Sequence, residues 1–95
     1  MSGLRHVVTL TFKDETPAEA LDGIVAGLRE LPGAIDAIEG YEVGIDAGLA
    51  EGHATVASVA DFASVGDYEI YRDHPEHLRV IEDLILEHIA GRSAV

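Results

Sequence analysis

Residues 4–13 alternate without a break, with Leu4, His6, Val8, Leu10 and Phe12 on one side and Arg5, Val7, Thr9, Thr11 and Lys13 on the other. Side chains of a strand point to opposite faces in turn, so this period of two predicts a β-strand with one greasy face. Its other face carries threonines, valine and charge. The greasy face needs a cover, and the next segment supplies one.

Thr16-Pro17-Ala18-Glu19 reads as a capping box, with Thr16 capping the free amides, Pro17 in the first turn and Glu19 reaching back. Leu21, Ile24, Val25, Leu28 and Leu31 then mark one stripe of a helix, which Pro32-Gly33 is expected to end. Residues 34–40 read as a turn or short helix. A second strand is expected over Tyr41–Ile45, a turn over 46–52, and a third strand over about 54–61, where the small Ala57, Ser58 and Ala60 suggest close approach on both faces. Ser64 can cap a short helix holding Tyr68 and Tyr71 at i, i+3. Asp73-His74-Pro75-Glu76 can cap another, running to about Ile89, with Gly91 as its stop and Arg92–Val95 as a short last strand.

The order β-α-β-β-α-β, its second helix split in two, predicts a ferredoxin-like α+β domain: a four-stranded antiparallel sheet with helices on one face. The helices can cover only one face. A second copy of the chain is the simplest cover for the other, so a homodimer is expected.

Composition narrows the function. A chain of 95 residues, 47% of them hydrophobic, fits one domain over residues 1–95. Its own core is modest, burying roughly 60–65% of the unfolded surface, and self-association adds burial. Cysteine is absent, which excludes disulfides, thiolate zinc sites and a cysteine nucleophile. With 18 acidic residues against 6 lysines and arginines, the net charge is −12. No basic cluster is present to neutralise phosphates, so nucleic acid and anionic membrane surfaces are not expected partners. Apolar runs fall far short of the ~20 residues that span a bilayer. The first residues lead straight into the strand pattern with no signal-peptide core, and a cytoplasmic protein is expected.

Three stretches carry a family resemblance: Leu-Arg-His-Val-Val-Thr-Leu-Thr-Phe-Lys-Asp at 4–14, Gly40-Tyr41-Glu42-Val43-Gly44, and above all Tyr71-Arg72-Asp73-His74-Pro75-Glu76-His77. The last matches a Y-x-x-H-P-x-H signature, with Phe62 and Ser64 also in place upstream. On these residues the chain resembles the stress-responsive A/B barrel (Dabb) family of the dimeric α/β-barrel superfamily. The resemblance implies two domains packed sheet against sheet as a dimeric α/β barrel. It extends distantly to plant cyclases of the olivetolic acid type, which close linear polyketides by intramolecular aldol chemistry with a tyrosine and a histidine at positions matching Tyr71 and His77.

The residues themselves allow that chemistry. On helical spacing His77 shares a stripe with Ile81, Leu84 and Ile85, so it should face the interior. His6 lies on the greasy side of the first strand, and Tyr71 precedes His77 across the His74-Pro75 corner. His6, Tyr71, His74 and His77 can therefore converge between helix and sheet. A histidine can remove a proton alpha to a carbonyl, and a tyrosine hydroxyl can hold the developing oxyanion. Tyr71 and His77 are the expected catalytic pair, with His6 and His74 as substrate-binding residues.

The same residues have a structural reading. His74 can shape the helix start, His77 can plug the core bonded to backbone, and Tyr71 can lid it. His74 and His77 also have metal-ligand spacing, but two ligands make no site and the intervening proline disturbs their shared face, so no metal or other cofactor is expected. His53 and His88 look exposed and have no expected role. The acids show no paired spacing of the kind glycosidases use.

Three functions follow. One is an enzyme or binding protein with a small apolar pocket for a small hydrophobic carbonyl compound. The second is a non-catalytic dimeric, stress-related interaction module. The third, a cofactor-free or haem-linked monooxygenase, finds no matching residue pattern and no tryptophan.

Overall fold

The computed structural model describes residues 3–95. The strand that the alternation predicts is β1 (Leu4–Phe12). After it come α1 (Ala18–Arg29), the single turn α2 (Leu31–Ala34), β2 (Ile38–Ile45), β3 (Val56–Phe62), α3 (Val65–Asp73) and α4 (Pro75–Val80). A π-helical turn at Ile81–Ile85 continues α4 and leads into β4 (Ile89–Ala94). The strands form one antiparallel sheet in the order β2-β3-β1-β4, and the fold is the expected ferredoxin-like α+β arrangement.

Register decides which residues share a face. Val8 pairs with Ser58, Leu10 with Val56 on one side and with Arg92 on the other, and Val43 pairs with Ser58. Directly paired residues point the same way, so these side chains lie beneath the helices. Val7, Thr9, Val59, Glu42 and Ser93 occupy the helix-free face, where Arg5 forks onto Asp61 with bonds of 2.8 and 3.2 Å.

The stripe on α1 packs as its spacing predicts, with Ile24, Val25 and Leu28 buried and Leu31 buried at the start of α2. Phe62, Ile24, Leu31, Ile35, Val56 and Val80 are the largest wholly enclosed side chains. Each such burial contributes roughly 1.5–3 kcal/mol. Among the described residues, no helix is long and apolar enough to cross a membrane.

Several local expectations are corrected. The capping box does not form: Pro17 occupies the cap position with no side-chain bond, and the Thr16 hydroxyl is buried without a partner among the described residues. The Thr16 amide instead closes a turn onto the Lys13 carbonyl at 3.0 Å. Pro32-Gly33 does not simply end the first helix. Pro32 starts α2, where a residue without an amide hydrogen costs no bond. The second strand begins at Ile38, three residues early, because a register shift between Ile38 and Gly40 hides its alternation. The third begins at Val56, since the Thr55 hydroxyl accepts the Phe12 amide at 3.1 Å. Gly91 lies inside β4 rather than ending a helix.

Candidate functional site

Small side chains and a widened helix leave a cavity of about 330 Å³ between the sheet and the helical layer. Its floor is His6, Val8 and Leu10 of β1 with Ser58 of β3, where the serine adds little bulk. Its roof is Tyr68, Tyr71 and Arg72 of α3 and His77 of α4. The π-helical turn supplies Ile81 and Ile85. There the Leu86 amide reaches back five residues to the Ile81 carbonyl at 2.9 Å, which swells the helix beside the cavity. Gly27 lets α1 close on this turn, because a Cβ there would lie 2.8 Å from Leu84 Cδ1.

The caps that shape the roof are legible in the sequence. Ser64 Oγ accepts the Asp67 amide at 3.1 Å, which starts α3 and turns Tyr71 inward until it is 4% exposed. His74 then breaks the helix with extended backbone, and its Nδ1 accepts the Glu76 amide at 3.1 Å to start α4. Pro75 in the first turn fixes the corner.

His6, Tyr71 and His77 come together. The Tyr71 and His77 rings are 4.2 Å apart, centre to centre, with planes at 34°. His6 lies 6.4 Å from Tyr71 and 5.0 Å from Tyr68. His74 does not join them, since its ring caps α4 outside the cavity lining. Among the described residues, no three of His, Asp and Glu are arranged to hold a metal ion. His53 closes the 46–55 loop through Asp46, at 2.9 Å.

The electrostatics give each group a defined form at neutral pH. Burial lowers the His77 pKa, with the Arg92 and His74 charges adding to it, while the Arg72 carbonyl and Asp73 oppose. His6 is lowered by burial first, then by Arg92 and His77. Burial pushes the Tyr71 hydroxyl well above its ordinary value, with Tyr41 and Tyr68 adding to the shift. Both histidines are therefore neutral and the tyrosine stays a proton donor. His77 Nδ1 stands 3.0 Å from the Arg72 carbonyl oxygen, which can only accept, so Nδ1 carries the hydrogen and Nε2 the lone pair.

Arg92, Ser58 and Arg72 also line the cavity, and none of them is an expected site residue from the sequence, where Ser58 stands only as a small residue of the third strand. Arg92 was hidden by parity. Ile89 and Arg92 are three positions apart, which simple alternation puts on opposite faces. The register shift opposite Thr11 and Phe12 brings both to the cavity side.

The chain is 32% identical to a dimeric ferredoxin-like protein from Thermobifida fusca, covering 98% of this chain and 87% of that one, with a TM-score of 0.88. It also matches the hydroxynitrile lyase of Passiflora edulis in fold, at 19% identity over 99% of this chain and 90% of that one, with a TM-score of 0.85. A Dabb family protein from Mesorhizobium loti matches at 18% identity over 100% and 94% of the two chains, with a TM-score of 0.82. No protein of curated function matches significantly. Residues 4–95 match the stress responsive A/B barrel domain, and the chain belongs to that family.

Proposed function

We propose that the cavity binds a small hydrophobic carbonyl compound and moves a proton on it, with His77 as base and Tyr71 as hydrogen-bond donor. The observation that carries this reading is the 4.2 Å contact of a neutral histidine with a protonated tyrosine at the wall of an open, largely apolar cavity. His77 Nε2 takes the proton from the carbon next to the carbonyl, and the C–H electron pair moves into the enolate. Tyr71 O–H donates a hydrogen bond to the enolate oxygen. In a polyketide-like substrate the enolate carbon then attacks a second carbonyl carbon, and the new alkoxide takes the proton back from His77. His6 lies across the cavity as a substrate-binding group. The similar Thermobifida fusca protein is dimeric, and this reading includes a homodimer in the cytoplasm, packed through the helix-free face.

One observation favours a second reading, a non-catalytic dimeric interaction module: His74 and His77 both hold backbone groups, as structural histidines do. That bond uses only Nδ1 of His77, however, and fixing one nitrogen is how a catalytic imidazole is oriented.

Deuterium exchange separates the two. The protein is incubated with 2-octanone in D2O and loss of the alpha protons is followed by NMR. Exchange above the buffer rate that disappears in His77→Ala supports the enzyme. Exchange at the buffer rate with native protein favours the module.

A further inference from the structure

We infer that the cavity is built for an anionic occupant, a chain-like amphiphile whose carboxylate pairs with Arg92 while its apolar body lies against Val8, Leu10 and Ile85. This rests on the carbonyl-compound reading for the reacting end and adds the class of substrate.

The chain has six lysines and arginines against 18 acids. Arg5 is forked onto Asp61, Arg72 onto Asp73, and Arg79 bonds Glu76 at 3.1 Å. Lys13 is bonded to the Glu87 carbonyl and Arg29 to the Val43 carbonyl. The Arg92 guanidinium forms no hydrogen bond or ion pair with any described residue, its backbone alone being paired, in the β1–β4 ladder. In a chain this acidic a guanidinium has many carboxylates to choose from. Two arginines lack one: Arg29 rests on the Val43 carbonyl, and Arg92, whose side chain has no partner among the described residues, lines the cavity.

Its position follows from the sheet rather than from chance. Arg92 pairs with Leu10 in the β1–β4 register, beneath the helices, and lines the same cavity as His6, Tyr71 and His77. Its charge reaches all three groups. The helix-free face proposed for the dimer is the opposite one, so a partner copy does not occupy it.

The chemistry of the occupant follows. A guanidinium offers a planar fork of donors that matches a carboxylate bidentately. A doubly charged phosphate would call for a second free cation, and the other arginine in the lining, Arg72, is held by Asp73. The remaining walls are mostly aliphatic and aromatic, which suits a hydrocarbon chain. The inferred substrate class is thus a medium-chain acid carrying a carbonyl within reach of His77.

The test compares octanoate with 1-octanol, equal in chain length, by titration calorimetry at low salt. The expected result is octanoate binding tighter by roughly tenfold, against the repulsion of a net charge of −12. Arg92→Ala should erase that preference while 1-octanol still binds, and Arg92→Lys should keep part of it. Arg79→Ala, which removes an equal charge outside the cavity, should leave it intact. Equal binding of the two probes overturns the anionic inference alone, as does a preference that survives in Arg92→Ala or is lost equally in Arg79→Ala. Failure of both probes to bind overturns the cavity reading with it.

Discussion

His77 Nδ1 is 3.0 Å from the carbonyl oxygen of Arg72, five residues back across the Pro75 corner. This bond fixes both the tautomer and the ring plane, and it lays the ring against Tyr71. The backbone that ends α3 is thus what sets the direction of His77 Nε2.

Stability and exchange should separate in the two variants of this pair. The Tyr71 hydroxyl makes no hydrogen bond to a described residue, so Tyr71→Phe should change the unfolding free energy by less than about 1 kcal/mol. It should nevertheless cut ketone exchange by roughly 10²-fold, as loss of an oxyanion donor does. His77→Ala loses a hydrogen bond and a ring contact and should cost about 1–2 kcal/mol. Its exchange should fall to the buffer rate. Urea unfolding and NMR exchange on the same samples check both. A Tyr71→Phe protein that exchanges normally would remove the tyrosine from the proposed chemistry.

Acidity should act through His77 in a defined window. Its pKa in the folded protein lies below the ordinary 6.5, so the base form predominates at neutral pH. The exchange rate should rise with pH along a limb centred below 6.5 and then stay flat, because the Tyr71 proton is held well above its ordinary pKa of 10. Stability follows the same sign. The unfolded histidines bind protons at higher pH than His6 and His77 do in the fold, so their contribution is complete above about 6.5. It is lost as pH falls through that value towards their folded pKa. A rate profile with its limb centred above 7 would contradict this assignment.

Sequence alone revealed what depends on short-range pattern. The alternation of β1, the stripe on α1, the Ser64 cap and the His74-Pro75 corner all lie within a few residues of their cause. The convergence of His6, Tyr71 and His77 was also legible, since strand alternation assigns His6, helical spacing assigns His77, and Tyr71 lies just across the His74-Pro75 corner. What stayed hidden depends on contacts distant in sequence. The parity of Arg92 turns on a register shift between β1 and β4, and the start of β2 on another against β3. The π-helical turn leaves no mark in Ile81–Ile85, whose apolar spacing fits an ordinary helix equally well. His74 has the signature but serves the helix start, because a residue before proline takes extended backbone and its ring then meets the next free amide.

Packing between α1 and the π-helical turn should govern the cavity as well as stability. Gly27 is buried, and a Cβ there meets the Leu84 methyl at 2.8 Å with Val80 methyls at 3.7 and 3.8 Å. Gly27→Ala gains up to about 1 kcal/mol of helix propensity, and the methyl it strikes is the mobile end of a side chain, so the net change should be small. Gly27→Val has no such room and should cost about 1–3 kcal/mol. Thermal unfolding of both variants checks the ordering. A Gly27→Val protein as stable as the native one would show that the two helices separate freely.

The helix-free face should decide the assembly. Val7 and Thr9 lie in its centre, paired with Val59 and Ala57 of β3, and all four side chains are small or apolar. A second copy related by a two-fold axis would set this patch against itself, so a charge at Val7 would meet its own image. Two carboxylates buried in such a contact repel each other and lose their hydration, and Val7→Asp should shift the protein from dimer to monomer. Leu10→Asp is the wrong control, since it lies in the core and would unfold the chain. Ser93→Asp, on the same face at the edge strand, should weaken the dimer less. Light scattering at several concentrations, with circular dichroism to show that the fold persists, reads the outcome. A folded Val7→Asp protein that keeps the dimer mass would place the contact elsewhere on the molecule.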